Sequence, residues 1–350
     1  MGDRLKCNIL WTCAAVISCL VWPDHASLGA DESPPHETYQ ARDGLAPLKD
    51  ESADAQACLD GLAWAPGAFE VRCEKKSGAG PLTGRLVRFP SPVPSGNATN
   101  DSVSMEWYES LDADNRVIHA PAVLVVHESG SGMQAGRLFA LSFRNHGIHA
   151  FLIHLPYYGE RRPEGFQRDG SHFLNTIRQA IADVRRARDA IVVLPRVDAL
   201  HLCAQGTSLG GFVVASSASL DRCFAATFIT LAGGDLYDMI THGRKDTARV
   251  RELLAEAGYT DQKLKDLLWH IEPTRVAHRL DPRATWLYSA EDDSVVPIRN
   301  ALALATRAQL DESHHVRVSG NHYTAIFHFP MILNHMVQRV RALPESSRRE

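Results

Sequence analysis

The 350-residue chain lacks an excess of basic charge: 37 Lys and Arg stand against 41 Asp and Glu, for a formal net charge of −4. That balance argues against a nucleic-acid-binding surface. Internal repeats are missing, and no long low-complexity segment interrupts a core. No Cys/His spacing resembles a zinc site, and no metal or organic cofactor is implied. An apolar run near the start, residues 7–22, is short for a membrane-spanning helix. What remains is ordinary for a globular protein: 45% hydrophobic and 22% charged residues. The length admits one large domain, because α/β sheets commonly run this long as one unit.

The first thirty residues have a signal-peptide layout. Arg4 and Lys6 precede the apolar run, and small residues follow, ending near Ala26 to Ala30. Cleavage near Gly29 or Ala30 would release a soluble exported protein, periplasmic or extracellular. Alternatively, Val16-Ile17-Ser18-Cys19 resembles a bacterial lipobox, which would leave a lipid on Cys19 as the one membrane attachment. An uncleaved anchor is the third reading. Residues 31–56, polar and rich in Pro and Asp, read as a flexible linker. Residues 57–343 read as the folded domain and 344–350 as a disordered tail. Of the 7 cysteines, those at positions 7, 13 and 19 lie in the leader. Outside the cytoplasm disulfides persist, and Cys58 and Cys73 could close a small loop. Cys203 and Cys223 read as small core residues.

The centre of the chemistry is Gly206-Thr207-Ser208-Leu209-Gly210. An apolar strand-like stretch, 199–203, precedes it and a helix-compatible stretch, 212–219, follows. A strand turning sharply into a helix holds a serine in a strained conformation with its hydroxyl exposed above the sheet. A helix N-terminus behind it favours developing negative charge. A serine hydroxyl needs a base, and the base needs a carboxylate to fix its tautomer. Asp293 follows the apolar stretch 284–290, and His322 follows another ending in Ser319-Gly320-Asn321. Each alone is weak, since the chain has 17 histidines and acidic turns are usually just solvated. The order Ser, Asp, His matches α/β-hydrolases and differs from the chymotrypsin and subtilisin orders. Asp293 is preferred to Asp292, because Val296-Pro297 looks like a helix start. Oxyanion donors are Leu209 N–H and, from the Gly/Ser-rich loop after the apolar strand 123–127, Ser129 N–H, with Glu128 N–H as runner-up.

Alternating strands and helices imply a doubly wound, mostly parallel sheet with helices on both faces. Strands are expected at 69–74, 84–89, 103–108, 123–127, 148–154, 199–203, 225–231, 285–289 and 316–319. The clearest helix is 173–193, with Ile177, Ile181, Val184 and Ile191 on one face and Arg185, Arg186 and Arg188 elsewhere. The last helix carries Ile332, Met336 and Val340 at the same spacing. Ligands bind at the carboxyl ends of such strands, where Ser208, Asp293 and His322 would converge.

The chain resembles the α/β-hydrolase superfamily, in its dienelactone-hydrolase-like and acetyl-xylan-esterase-like region. The resemblance rests on Phe89-Pro90-Ser91-Pro92, the His127-Glu128 loop, the run from Leu155-Pro156-Tyr157-Tyr158 to Pro163, the Ser208 elbow, Asp293 and Gly320-Asn321-His322. It covers most of the chain after residue 65. Dienelactone hydrolases carry a cysteine nucleophile where this chain has Ser208. Many esterases read His-Gly where this chain reads His127-Glu128. The resemblance implies that Glu128 faces the nucleophile.

An insertion, residues 233–282, is longer than a usual crossover. Helical stretches at 247–257 and 261–271 make it a cap over the site or a pair of rim helices without substrate contact. Tyr157 and Tyr158 could stack on a sugar or aromatic group, and Arg161 or Arg162 could meet an anionic one. Solvated or structural arginines are the plainer reading. The expected function is an exported serine hydrolase acting on a small-molecule or carbohydrate ester. The alternatives are a peptidase or other acyl hydrolase with the same triad, and a non-catalytic envelope binding protein. A lipid-surface enzyme is disfavoured by the charge of the insertion helices.

Overall fold

Val123-Leu124-Val125-Val126 is apolar on both faces, so the strand it forms can sit only in the middle of a covered sheet. In the computed structural model, which describes residues 36–46, 48–75 and 84–344, that run lies inside strand β5 and is fully buried. Among the described residues ten strands make one sheet. They are β1 (Glu37–Arg42), β2 (Ala68–Lys75), β3 (Arg85–Pro90), β4 (Ser102–Tyr108) and β5 (Ala120–Val126). The others are β6 (His149–Ile153), β7 (Val197–Thr207), β8 (Thr227–Thr230), β9 (Thr285–Ala290) and β10 (His315–Val318).

The spatial order is β1-β2-β3-β4-β6-β5-β7-β8-β9-β10. The arm β1 to β4 and its junction with β6 are antiparallel. From β6 to β10 every pairing is parallel. Helices lie between and after the strands and cover both faces of the sheet: α1 (Ala53–Leu62), α2 (Ala98–Asp101), α3 (Gln134–Asn145), α4 (Phe173–Ile191) and α5 (Leu209–Asp221) come first. Then follow α6 (Leu236–His242), α7 (Asp246–Glu256), α8 (Asp261–Trp269), α9 (Ile298–Arg307) and α10 (Phe329–Arg341). Two buried clusters result, one per face. One joins Leu124 and Val126 of β5 to Ile181 and Val184 of α4 and Val213 of α5. The other joins Val123 and Val125 to Phe139 and Phe143 of α3 and Met336 of α10. Among the described residues no helix is long and apolar enough to cross a membrane.

All nine expected strands are present, and β1 is an addition. Its segment corrects the expectation of a flexible linker for the described part of 31–56, residues 36–46 and 48–56. Glu37–Arg42 pairs with β2. Asp43 binds the Arg186 guanidinium, and Gly44 N–H donates to Asp189 at 2.8 Å. Asp50 pairs with Arg279 at 2.9 Å. The polar composition that read as a linker supplies acids to the buried Arg186 and the half-buried Arg279. Arg185 and Arg186 are accordingly buried on α4, paired with Asp189, Asp221 and Asp43. The signal-peptide and lipobox readings fall on residues outside those described, as does most of the expected tail. Cys58 and Cys73 are buried and unbonded, against the expected bridge. They occupy separate settings, with Cys58 Sγ 3.9 Å from the His270 carbonyl and Cys73 Sγ 3.7 Å from Arg85 Nη1.

Candidate active site

The glycines around Ser208 are there because the backbone leaves no room. A Cβ on Gly206 would lie 2.2 Å from the Gly210 carbonyl oxygen. One on Gly210 would lie 2.1 Å from the carbonyl oxygen of Val126. Strand β7 can therefore reverse into α5 within one residue, Ser208, at φ 52° and ψ −115°. A non-glycine residue at positive φ is strained, and such strain gathers at functional sites. The Ser208 N–H donates to the Thr230 carbonyl at 2.8 Å, which ties the turn to the sheet.

His322 reaches Ser208 from the turn after β10. Gly320 turns the chain at φ 96°, and the Asn321 side chain accepts the N–H groups of Tyr323 and Thr324 at 3.0 and 3.2 Å. The imidazole Nε2 lies 3.1 Å from Ser208 Oγ. Its Nδ1 lies 2.6 Å from Asp293 Oδ2. The other oxygen of Asp293 accepts from Val295 N–H at 2.7 Å and Val296 N–H at 2.9 Å. Those bonds hold the carboxylate in place at the start of the chain leading into α9. Asp292 is exposed, and its N–H donates to the Gly320 carbonyl at 2.9 Å, joining the Asp and His turns.

Ser208 opens into a cavity of about 230 Å³ that Ser129 and Leu209 also line. Tyr157 and Tyr158 line it too. Tyr157 stacks on Phe166 with ring centroids 4.1 Å apart, and Tyr158 donates its hydroxyl to the Ser129 carbonyl at 3.0 Å. Three residues expected at the substrate are elsewhere. Both Glu128 oxygens are taken by the N-terminus of α3, accepting from Ala135 and Gly136 N–H at 3.1 Å each. The first turn of α3 has no side-chain cap of its own, so the glutamate fills that need. Arg161 is fully buried, bonded to the carbonyls of Asn100 (2.7 Å) and His154 (3.1 Å). Its Nη2 makes a 2.8 Å ion contact with Asp183 that lies outside hydrogen-bond angles. Arg162 is exposed and donates to the Phe166 carbonyl at 3.0 Å.

Sequence reasoning missed much of the cavity wall. The N-terminal half of α4 contributes Phe173, Thr176 and Ile177, and the preceding loop contributes Arg168 at the rim. Helix α6 contributes Leu236, Met239 and Ile240, a spacing of i, i+3, i+4 that was available in the sequence. Helix α7 adds Val250 and Leu253, and α8 adds Leu268. The insertion is thus part of the cavity wall. His127, expected at the strand end, is buried beneath the site. Burial pushes its imidazole down to about 3, so it is neutral, with Nε2 accepting from Leu155 N–H at 3.1 Å.

No protein-family model matches the chain, and no curated protein matches it by sequence. Solved structures do resemble it. An acetyl xylan esterase from Paenibacillus sp. R4 superposes with a TM-score of 0.60 at 13% identity, over 85% of this chain and 97% of that one. Acetyl xylan esterase 1 from Thermoanaerobacterium sp. JW/SL YS485 gives 0.56 at 11% identity, over 80% and 92%. The alpha/beta hydrolase GrgF from Penicillium sp. sh18 gives 0.51 at 15% identity, over 74% and 98%.

Proposed function

We propose that this chain, a protein of the α/β-hydrolase fold, is a serine hydrolase that cleaves carboxylic esters through an acyl-serine. The observation that carries the reading is the continuous contact from Ser208 Oγ through the His322 ring to Asp293, 3.1 and 2.6 Å, at the mouth of a cavity. In the proposed reaction His322 Nε2 takes the Ser208 proton as Oγ bonds to the ester carbonyl carbon. The N–H groups of Leu209 and Ser129 receive the oxyanion. As the intermediate collapses, the C–O bond to the alcohol breaks and His322 returns its proton to the leaving oxygen. Water then attacks the acyl-serine with His322 as base; the bond from the acyl carbon to Oγ breaks, His322 returns the proton to Oγ, and the acid leaves. Asp293 holds the ring in the tautomer that presents Nε2 to the serine and stabilises the imidazolium.

Export is part of the same proposal. It rests on the N-terminal leader pattern, and N-terminal mass mapping of the protein made in a bacterial host tests it. The enzymatic proposal is tested by ester turnover in the wild type and in Ser208→Ala. A folded Ser208→Ala protein should be inactive. Turnover near the wild-type rate in that variant would rule the acyl-serine out.

A further inference from the structure

The cavity behind Ser208 is larger and less polar than an acetyl group on a sugar requires. Its volume is about 230 Å³. An apolar cavity of roughly 150 Å³ takes up benzene, so by proportion this one holds a group of about nine carbon atoms. Its wall is built by Ile177 of α4, Phe212 of α5 and Ile240, Val250 and Leu268 of the three insertion helices. The polar groups inside are few. Thr247 Oγ1 already donates to the Val295 carbonyl at 2.8 Å. Of the charged lining residues, Arg168 and Asp169 stand on the exposed rim, and the half-buried Asp246 already accepts from the Tyr323 hydroxyl at 3.0 Å. Sugar hydroxyls taken into this wall would give up water with almost no partner in exchange, which is unfavourable. An apolar group would give up water and gain contacts with this wall.

We infer that the substrate is an ester bearing an apolar group of about six to ten non-hydrogen atoms, which enters the cavity beneath α6, α7 and α8. The inference rests on the acyl-serine reading and adds to it the class of substrate. The insertion then acts as the specificity element, with Val250 and Leu253 facing the group from α7.

Two ester series test this on the whole protein. In one, nitrophenyl esters run from acetate through hexanoate to decanoate; in the other, acetates of ethanol, hexanol and benzyl alcohol vary the leaving side. An acetylated xylo-oligosaccharide is run beside them. Each methylene that enters the cavity should raise kcat/KM by roughly fourfold until the space is full. One arm should therefore climb by at least about tenfold from its smallest to its six-carbon member, and that arm identifies which side of the ester is buried. Val250→Trp fills part of the cavity and should lower the hexyl-to-short ratio by about tenfold or more. Leu253→Phe, on the same half-buried face of α7, should move the ratio the same way and serves if the first variant does not fold. Flat series in a protein that still labels with a fluorophosphonate overturn the inference and leave the acyl-serine reading standing. Faster turnover of the acetylated sugar, or unchanged ratios in both folded variants, also overturns it. No turnover of any ester and no label overturns the acyl-serine reading and this inference together.

Discussion

The hydroxyl of Tyr323 donates to Asp246 Oδ2 at 3.0 Å, so the residue beside His322 is tied to the first turn of α7. Lys245 Nζ sits 4.3 Å from the centre of the same ring. The turn that carries the histidine and the helix that walls the cavity are thereby coupled. The contact is about half exposed, so its strength is modest.

Tyr323→Phe keeps the ring and removes the hydroxyl. It should weaken the docking of the α7 N-terminus by about 0.5–1 kcal/mol. Hydrogen exchange of the first α7 amides should rise by a few-fold, while the global unfolding midpoint moves little. Unaltered exchange in α7 would mean that the contact holds nothing.

Asp293 and Asp292 are adjacent acids with different surroundings. Asp293 is buried with one oxygen on His322 and the other on two backbone N–H groups. Asp292 is exposed. Replacing the corresponding carboxylate in a serine protease lowers turnover by roughly 10⁴-fold, a precedent for the scale expected of Asp293→Asn. Asp292→Asn should stay within a few-fold of wild type. A severe loss in the Asp292 variant beside an active Asp293 variant would reverse the assignment.

Arg161 should govern stability, and not substrate affinity. It is fully buried against Asp183, whose carboxyl is pushed up by burial and drawn back down by the Arg161 charge. Removing one partner of a buried ion pair leaves the other uncompensated, at about 3–5 kcal/mol. Arg161→Ala should lose about that much in urea unfolding, with KM in the folded fraction near the wild-type value. A raised KM with unchanged unfolding would return Arg161 to the substrate.

Stability should fall in acid from about pH 6.5 downward. Burial lowers His127 to about 3 and His315 to about 4 from an ordinary 6.5. Below the ordinary value the unfolded chain takes up protons that the native chain does not, so both histidines favour unfolding as pH drops toward their folded values. Glu106 acts in the same direction at lower pH. Burial raises its carboxyl, but the His154 hydrogen bond and Arg137 outweigh this and hold it well below 4.5. Its contribution is full above its ordinary value and is lost as pH falls through the folded one. Thermal melts should be level near pH 7–8 and decline steadily below about 6.5. A melting point that is level or rising between pH 6.5 and 4 would contradict this account.

The sequence was most legible where one backbone constraint demands one residue type. Gly206 and Gly210 admit no side chain, so the elbow shows as a pattern. The two-sided burial of β5 shows as an unbroken apolar run. Legibility ended where a residue's role depends on a distant partner. Asp43 and Asp50 read as linker acids because Arg186 and Arg279 lie far along the chain. Glu128 and Arg161 read as substrate contacts because the α3 N-terminus and Asp183 that claim them are visible only in the fold. The apolar face of α6 was readable from spacing, but that it faces Ser208 across a cavity follows from packing alone.

The central claim is that Ser208 becomes covalently bonded to the acyl group. Its most direct measurement is peptide mapping of the protein after reaction with a fluorophosphonate, with Ser208→Ala run in parallel. The account predicts one adduct per chain, carried on the peptide containing Ser208 and missing from the variant. An adduct on another residue, or a folded wild-type protein that stays unmodified while it hydrolyses esters, would contradict it.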